Sequence, residues 1–259
     1  IATPAMKVKN PITLFQKFQR IEYLASMFIS RIMGHLDMIY VAPGPFSLYR
    51  TDIIKNLGGF DIGNLTEDQE IAYRVQKNNY GIKQCYNAYV YTNSPKNVKS
   101  LYKQRNRWFK GSLINIYKYK RLFLNKKYGD FGMLQLPMNL ITYFLSVCAI
   151  FFFGYFALKP VFKEIHHLYL INFDIFNYLK GINISFNIIE LDLGMMFMVS
   201  TLFFASLVLF YLSHKNTNEK IRKHGLLHLI PYFFVYYTVL SVVSVIVLIQ
   251  LVFGLKQKW

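Results

Sequence analysis

Apolar residues recur at regular spacings over the first half of the chain and become nearly continuous in the second half. Residues 13–33 have apolar side chains three and four positions apart, which predicts an amphipathic helix. Apolar stretches at Met38–Ala42 and Phe46–Tyr49 predict two short strands, and Pro43-Gly44-Pro45 between them predicts a tight turn. The first part of the chain therefore mixes helices and strands.

Further along, Thr51–Leu57 predicts a short helix that ends at Gly58-Gly59, because glycine adopts the left-handed capping conformation at little cost. Ile82–Tyr86 and Ala88–Thr92 predict two more strands. Helices that alternate with strands are typical of an α/β fold. We therefore assign residues 1–96 to an α/β domain.

A capping-box pattern marks the start of another helix, since Thr66 is followed three positions later by Gln69. Glu67 and Asp68 then lie in the first turn, where the helix dipole favours ionised carboxylates. Acidic residues are common at helix N-termini for this reason alone. The pair becomes a candidate catalytic site only if residues of matching chemistry lie nearby.

A long helix is predicted over Asn97–Leu124. Gln104, Arg107, Trp108 and Gly111 fall at positions i, i+3, i+4 and i+7, so they share one face of it. The lysines and apolar residues that follow are typical of a helix lying in a membrane interface, although a core helix of a soluble protein has a similar pattern. We assign residues 97–130 to an amphipathic interfacial helix.

Uncharged stretches then follow at Phe131–Leu158, Leu193–Ser213 and Leu229–Leu255. Each is long enough to cross a membrane, since a helix needs about 20 apolar residues to span the hydrocarbon core. Helices buried in a soluble core are usually shorter. We therefore expect a transmembrane region at residues 131–259, with spans at about 133–158, 193–213 and 229–255.

The net charge of +17 is unevenly distributed, and no acidic residue occurs between Ile71 and Gly129. A basic surface suits a diphosphate, an anionic lipid or a nucleic acid, and nucleic acid is the weakest candidate because the basic segment leads into apolar spans. The loop at 213–225 is more basic than the one at 159–192, so the positive-inside rule places it in the cytoplasm with the basic segment. We expect a multi-pass protein of the cell membrane whose catalytic part is cytoplasmic.

The cysteines and histidines indicate neither a disulfide nor a metal site. Cys85 lies in a predicted strand and Cys148 in a predicted span, so they do not form a framework. His166-His167 has no third ligand near it in the sequence. Asn183-Ile184-Ser185 is a glycosylation sequon, to which we attach no function.

Thr66-Glu67-Asp68 and Gln104-Arg105-Asn106-Arg107-Trp108 have complementary chemistry. A carboxylate accepts a proton from a hydroxyl, arginine and glutamine hold phosphate oxygens, and an indole stacks on a sugar face. In order and spacing the two segments resemble the TED and Q(Q/R)xRW motifs of the processive membrane synthases of glycosyltransferase family 2. That family makes polysaccharides such as cellulose, chitin, hyaluronan and poly-N-acetylglucosamine.

The resemblance implies a GT-A (Rossmann-like) catalytic domain, of which residues 1–96 would be the C-terminal half. Asp68 would be the base of an inverting displacement, because the hydroxyl that attacks the anomeric carbon must lose its proton. Glu67 and Thr66 would support it.

The resemblance also divides the pentapeptide between donor and acceptor. Trp108 would bind the acceptor sugar, although a lone tryptophan here fits an interfacial anchor equally well. Val41–Ser47 resembles the family's acceptor floor, where Gly44 and Pro45 would contact the sugar. The donor diphosphate would be held by Gln104, Arg107 and, less strongly, Arg105.

Family 2 enzymes bind the nucleotide and a Mg²⁺ or Mn²⁺ ion through an N-terminal half that carries a D-x-D motif. This chain has no D-x-D, and it begins at Ile1 rather than at methionine. We therefore expect the donor-binding half and its metal site to lie upstream. The chain by itself is expected neither to bind donor nor to turn over.

The function we expect is transfer of a sugar from UDP-N-acetylglucosamine or UDP-glucose to a growing β-linked polysaccharide at the membrane. One alternative is a non-processive glycosyltransferase with a lipid acceptor, because such enzymes carry a related motif. Another is a non-catalytic membrane transporter or scaffold. Nucleic acid is not expected as a partner, and the sequence identifies no partner subunit.

Overall fold

The computed structural model describes residues 1–170, 172–173, 193–224 and 227–254. The chain divides into two compact units, of which the first comprises Ile1–Val147 and Leu209–Trp259 and the second Cys148–Val208. The sequon at Asn183 lies outside the described residues.

Two parallel strands form the sheet found in the described part of the chain. β1 (Ala2–Val8) pairs with β2 (Lys83–Thr92), and the register shifts between Pro4 and Ala5. The two strands predicted at residues 82–86 and 88–92 are thus one strand with an irregularity inside it. Parallel strands need a long crossover connection, and here that connection holds three helices.

The prediction of strands at Met38–Ala42 and Phe46–Tyr49 is wrong. Leu48 alone in these stretches pairs, through an isolated antiparallel bridge to Ala2. Ala42 is fully buried in the core. The apolar pattern therefore reflects the packing of an extended segment against helices, because burial and strand pairing favour the same residues.

The three crossover helices begin and end close to their predicted positions. α1 (Leu14–His35) begins after Thr13, which forms a capping box with Gln16. α2 (Thr51–Asn56) is followed by two glycines with positive φ, and α3 (Glu67–Lys77) comes next. Apolar side chains from α2, α3 and the connecting segments form a common core: Ile39, Ala42, Ile54, Ile71, Ala72, Val75 and Ile82.

The next helix, α4 (Val98–Lys118), is shorter than predicted. Its N-terminus has a capping box between Asn97 and Ser100, but after Lys118 the chain continues in two short 3₁₀ turns. These turns pack tightly against the segment that follows, since a Cβ added to Gly132 would lie 2.6 Å from the carbonyl oxygen of Leu122. This contact requires the backbone to leave the helical path.

Among the described residues, three helices are long and apolar enough to cross a membrane: Phe131–Leu170, Met196–Asn216 and Leu229–Val252. The first consists of a π-turn at Phe131–Gln135 and α5 (Leu136–Leu170), so it extends well past the predicted end at residue 158. The second lies within α6 (Leu193–Asn216). The third, called the third apolar helix below, contains α7 (Leu229–Pro231), a π-turn at Tyr232–Tyr236 and α8 (Tyr237–Val252).

The third apolar helix packs against α1 and α4. Phe18 of α1 lies 5.5 Å from Tyr236, ring centroid to ring centroid, and Leu101 of α4 belongs to the same buried cluster. The loop before this helix is held by an ion-pair cluster, in which Glu219 accepts hydrogen bonds from Lys7 and Arg20, both at 3.1 Å. The α/β part and the third apolar helix therefore form one packed body within the first unit.

Candidate active site

Asp68 lies in the first turn of α3, as predicted, and is half-buried, whereas Glu67 is exposed. The predicted capping box is wrong, because the Thr66 side chain makes no capping bond to its own helix. Its hydroxyl instead accepts a hydrogen bond from Asn115 Nδ2 at 3.1 Å. Thr66 therefore links α3 to α4.

The Asp68 carboxylate has an environment that favours its protonated form. Burial raises the pKa of Asp68 above the ordinary value of 3.8 and outweighs the hydrogen bond that it accepts from the Gln69 backbone N–H at 2.8 Å. The negative charge of Glu67 raises this pKa further, while the positive charge of Arg107 lowers it in part. A half-buried carboxylate with a raised pKa is suited to accept a proton.

The two motifs meet where Gly111 of α4 lies against Thr66. A Cβ at position 111 would overlap the Thr66 hydroxyl and would lie 2.6 Å from its methyl carbon, so a side chain there would displace Thr66. Gln69 Nε2 donates to Ser112 Oγ at 3.1 Å, and Asn115 Nδ2 donates to Gln69 Oε1 at 3.3 Å. Close packing and polar contacts thus fix α4 to the head of α3.

One face of the pentapeptide lies on the same side of α4 as Gly111. Gln104, Arg107 and Trp108 are each partly exposed on it, and the charge of Arg107 acts on Asp68. The side-chain oxygen of Gln104 is buried and accepts no hydrogen bond from the residues that the structure describes. This face combines a guanidinium, an amide and an indole close to the candidate base.

The other face of the pentapeptide contacts α1 and the third apolar helix. Arg105 is 4% exposed, and its guanidinium donates to Glu22 at 2.5 Å and to the Tyr236 hydroxyl at 3.2 Å. Asn106 donates to Gln250 at 3.0 Å. Arg105 is therefore neutralised in the interior, and the structure does not bring it to the face where a donor contact was predicted.

The segment predicted to form the acceptor floor lies beside Asp68. The Ala42 N–H donates to the Asp68 backbone carbonyl, and the Tyr49 hydroxyl donates to the Ala42 carbonyl, both at 3.2 Å. Burial raises the pKa of Tyr49, and the negative charge of Asp68 contributes to the rise. Gly44 and Pro45 are exposed, as an open contact surface requires.

A second carboxylate of α3, Glu70, is surrounded by donors and is 1% exposed. It pairs with Arg74 and accepts from Lys118 Nζ at 2.9 Å and from the Tyr119 hydroxyl at 2.6 Å. Burial alone would raise the pKa of Glu70, but these bonds outweigh it and lower the pKa below 4.5. Glu70 thus remains ionised and holds α3 against α4.

A divalent cation finds no complete ligand set in the described part of the chain, where no cluster of three or more His, Cys, Asp or Glu residues could hold a metal. Near Asp68 the other carboxylates are the exposed Glu67 and the cation-bound Glu70. Mg²⁺ and Mn²⁺ prefer several oxygen ligands in one place. The residues present do not fit such an ion.

Asn115 and Glu22 are important in this arrangement, and the sequence analysis missed both. Asn115 is fully buried and follows Gly111 by one helical turn. A polar residue on the same helix face as the motif is the sequence signal from which its role could be predicted. Glu22 is an acidic residue on the predicted amphipathic helix, with no neighbour in sequence that points to Arg105. Its role depends on a contact between distant segments.

Residues 2–255 match the family model described as glycosyl transferase family group 2. The chain belongs to this family. Members of glycosyl transferase family group 2 generally use a divalent metal, whereas no metal motif is present among the described residues. The sequence-based identification of the family is thereby confirmed.

Curated relatives from the same family group match parts of the chain. The poly-beta-1,6-N-acetyl-D-glucosamine synthase of Staphylococcus epidermidis is 28% identical over 106 residues, which are 40% of this chain and 26% of the relative. A probable glycosyltransferase of Bacillus subtilis, YdaM, is 30% identical over 152 residues, which are 58% of this chain and 34% of the relative. The matches thus span about a quarter to a third of these relatives.

Proposed function

We propose that the full protein containing this chain transfers a sugar from a nucleotide-sugar to an acceptor hydroxyl with inversion. The observation that carries the proposal is the half-buried Asp68 at the head of α3, next to the face of α4 with Arg107, Gln104 and Trp108. The family membership and the similarity to a poly-N-acetylglucosamine synthase support it. By that similarity the product is a β-linked polysaccharide and the donor is UDP-N-acetylglucosamine, or UDP-glucose.

In this proposal Asp68 removes the proton from the acceptor hydroxyl as that oxygen attacks the anomeric carbon and the bond to the nucleoside diphosphate breaks. Arg107 and Gln104 contact the diphosphate, since a guanidinium and an amide donate to phosphate oxygens. Trp108 offers its apolar ring face to the acceptor sugar. Glu67 and Thr66 support the base by charge and by packing, and Arg105 is left out of the donor contacts because Glu22 holds it.

The acceptor floor and the domain layout are also proposals. Gly44 and Pro45 lie in an exposed turn on the Asp68 side of the structure and are offered as acceptor contacts. The α/β part, residues 1–96, provides the acceptor half of the catalytic domain, and residues 97–130 lie at the cytoplasmic surface of the cell membrane. In this proposal the full protein also contains a donor half with a D-x-D motif and a metal site.

The role of Asp68 is tested in the full-length protein reconstituted in vesicles, by the incorporation of labelled sugar from UDP-N-acetylglucosamine or UDP-glucose. Asp68→Asn is expected to lower incorporation roughly 10²- to 10⁴-fold, the usual contribution of a general base. Asp52→Asn is the matched control, because Asp52 is also the second residue of its helix. Near-normal incorporation by Asp68→Asn would rule out the assignment.

The size of the labelled product separates processive from single transfer. A polymer retained on a gel supports polysaccharide synthesis, and a single lipid-soluble adduct supports a lipid acceptor. A protein that incorporates no sugar from either donor, with its upstream half present, would favour a transporter or scaffold.

A further inference from the structure

A buried polar cluster contacts one side of the Trp108 indole through Arg105. The guanidinium carbon of Arg105 lies 4.4 Å from the centroid of the Trp108 ring system. The same guanidinium donates to Glu22 at 2.5 Å and to the Tyr236 hydroxyl at 3.2 Å. The Tyr236 hydroxyl in turn donates to Glu22 at 2.6 Å.

The three polar groups of this cluster come from separate elements: Glu22 from α1, Arg105 from α4 and Tyr236 from the third apolar helix. Arg105 and Tyr236 are buried, and a buried charge keeps its position only while its partner remains. A stacked guanidinium also restricts the plane of the ring that it covers. Arg105, which is bonded to the third apolar helix through Tyr236, therefore limits the orientation of the Trp108 indole.

A second polar contact fastens the same stretch of α4 to the same helix. Asn106 donates to Gln250 at 3.0 Å, and Gln250 donates to the Tyr102 hydroxyl at 3.3 Å. Asn106 follows Arg105 directly, so the backbone that carries Trp108 is held at two points along the third apolar helix. Several hydrogen bonds, and not one, therefore connect α4 to the third apolar helix.

We propose that Glu22, Arg105 and Tyr236 are positioning residues that set the indole of Trp108 for the acceptor sugar and make that setting depend on the third apolar helix. The inference rests on the proposed acceptor role of Trp108. A sugar stacks well only when the ring lies parallel to it, so loss of the cluster weakens acceptor binding more than donor binding. The donor contacts, Arg107 and Gln104, lie on the other face of α4 and are not touched.

The test measures two KM values for the full-length protein in vesicles, one for the nucleotide-sugar and one for a short oligosaccharide of the sugar that the wild-type protein incorporates. Tyr236→Phe removes the hydroxyl and keeps the ring, and is expected to raise the acceptor KM about fivefold, the effect of one net hydrogen bond. The donor KM is expected to stay within twofold. Tyr237→Phe is the matched control, since that hydroxyl bonds Tyr232 on the same helix and not α4.

Arg105 gives a second measurement that a purely structural role does not reproduce. Arg105→Ala is expected to lose folded protein, because Glu22 is left without its cation. Arg105→Lys restores the charge and the folded yield but not the planar stack, so its acceptor KM is expected to stay raised. Full recovery of the acceptor KM by lysine would overturn the positioning role of the stack.

Trp108→Ala distinguishes the proposed acceptor role of Trp108 from its proposed positioning by Glu22, Arg105 and Tyr236. If it leaves the acceptor KM unchanged, the proposed acceptor role of Trp108 fails. If it raises the acceptor KM while Tyr236→Phe and Arg105→Lys do not, the acceptor role stands and the positioning inference alone is overturned. Equal changes of donor and acceptor KM in Tyr236→Phe would also overturn the inference.

Discussion

Asp68 and Glu70 lie two positions apart on one helix, yet their surroundings are opposite. Glu70 is 1% exposed and is bonded by Arg74, Lys118 and Tyr119, which lower its pKa. Asp68 is more open, lacks a bonded cation among the described residues, and has a raised pKa because burial dominates. Sequence position alone therefore does not distinguish the ion-paired Glu70 from Asp68, the proposed base.

The contrast has a physical cause in the direction of the two side chains. Glu70 faces the C-terminal end of α4, where Lys118 and Tyr119 supply donors. Asp68 accepts a hydrogen bond from the Gln69 backbone N–H, and the positive charge of Arg107 lowers its pKa only in part. The C-terminal end of α4 therefore binds Glu70, while Asp68 has no ion pair among the described residues.

The largest expected effect is on stability, and it comes from Glu70 rather than Asp68. Glu70→Gln leaves Arg74 and Lys118 without their shared carboxylate, which should destabilise the fold by about 3 kcal/mol, at the lower end for a broken buried pair because Lys118 is 43% exposed. Asp68→Asn should change stability by less than about 0.5 kcal/mol, since its ionised form is already disfavoured. Unfolding of the purified protein in detergent measures both, and equal losses would remove the contrast.

The next largest effect concerns the contact between α4 and the start of α3. Gly111→Ala forces a methyl group into Thr66, and overpacking of this kind costs about 1 to 3 kcal/mol. Because Thr66 lies only two residues before Asp68, sugar incorporation per folded molecule should fall as well. Gly154→Ala is the control, since an added Cβ there meets nothing within 4 Å. If Gly111→Ala and Gly154→Ala both have wild-type stability and activity, the close approach of Gly111 to Thr66 does not support the site.

The pH dependence should separate the two carboxylates in one titration. The proposed base works only when ionised, so activity should fall tenfold, or about 1.4 kcal/mol, for each pH unit below the pKa of Asp68, which lies above 3.8. The stability that Glu70 contributes is fully present above 4.5 and is lost only as the pH falls through its lowered pKa. Activity should therefore disappear at a pH where the protein remains folded, and simultaneous loss of activity and fold would contradict this order.

The smallest effect belongs to the exposed side of the Glu70 cluster. Lys118 also donates to Asp61 at 2.8 Å, but both side chains are more than one third exposed. Asp61→Asn should therefore cost only about 0.2 to 1 kcal/mol, as surface ion pairs do. A loss of stability as large as that of Glu70→Gln would show that the exposed Asp61–Lys118 pair is the main support of the cluster.

Local signals made much of the fold predictable. The start of α3 at Glu67, the glycine turn after α2 and the three apolar helices follow from dipole, backbone and length rules that act over a few residues. β1 (Ala2–Val8) was missed because it is defined by pairing with β2, which lies far along the chain. The strand predicted at 38–42 is absent for a different reason, because burial in the core favours the same apolar residues as strand pairing does.

The candidate site divides in the same way. Asp68, Arg107 and Trp108 could be proposed from motif chemistry, but the sequence gives two neighbouring arginines the same chemistry. The contacts with Glu22 and Tyr236, both distant in sequence, distinguish the buried Arg105 from the partly exposed Arg107. Thr66 shows the same limit, since its hydroxyl matched a capping box and is taken by Asn115 of another helix.

The π-turn at Tyr232–Tyr236 gives the third apolar helix a rotational phase that depends on the number of residues. A π-turn holds about one residue more than an α-helical turn, and one residue corresponds to roughly 100° of rotation. Deleting the exposed Phe234 would turn Gln250 relative to the residues before the π-turn. The number of residues in this turn thus sets the rotation of the third apolar helix where that helix contacts Arg105.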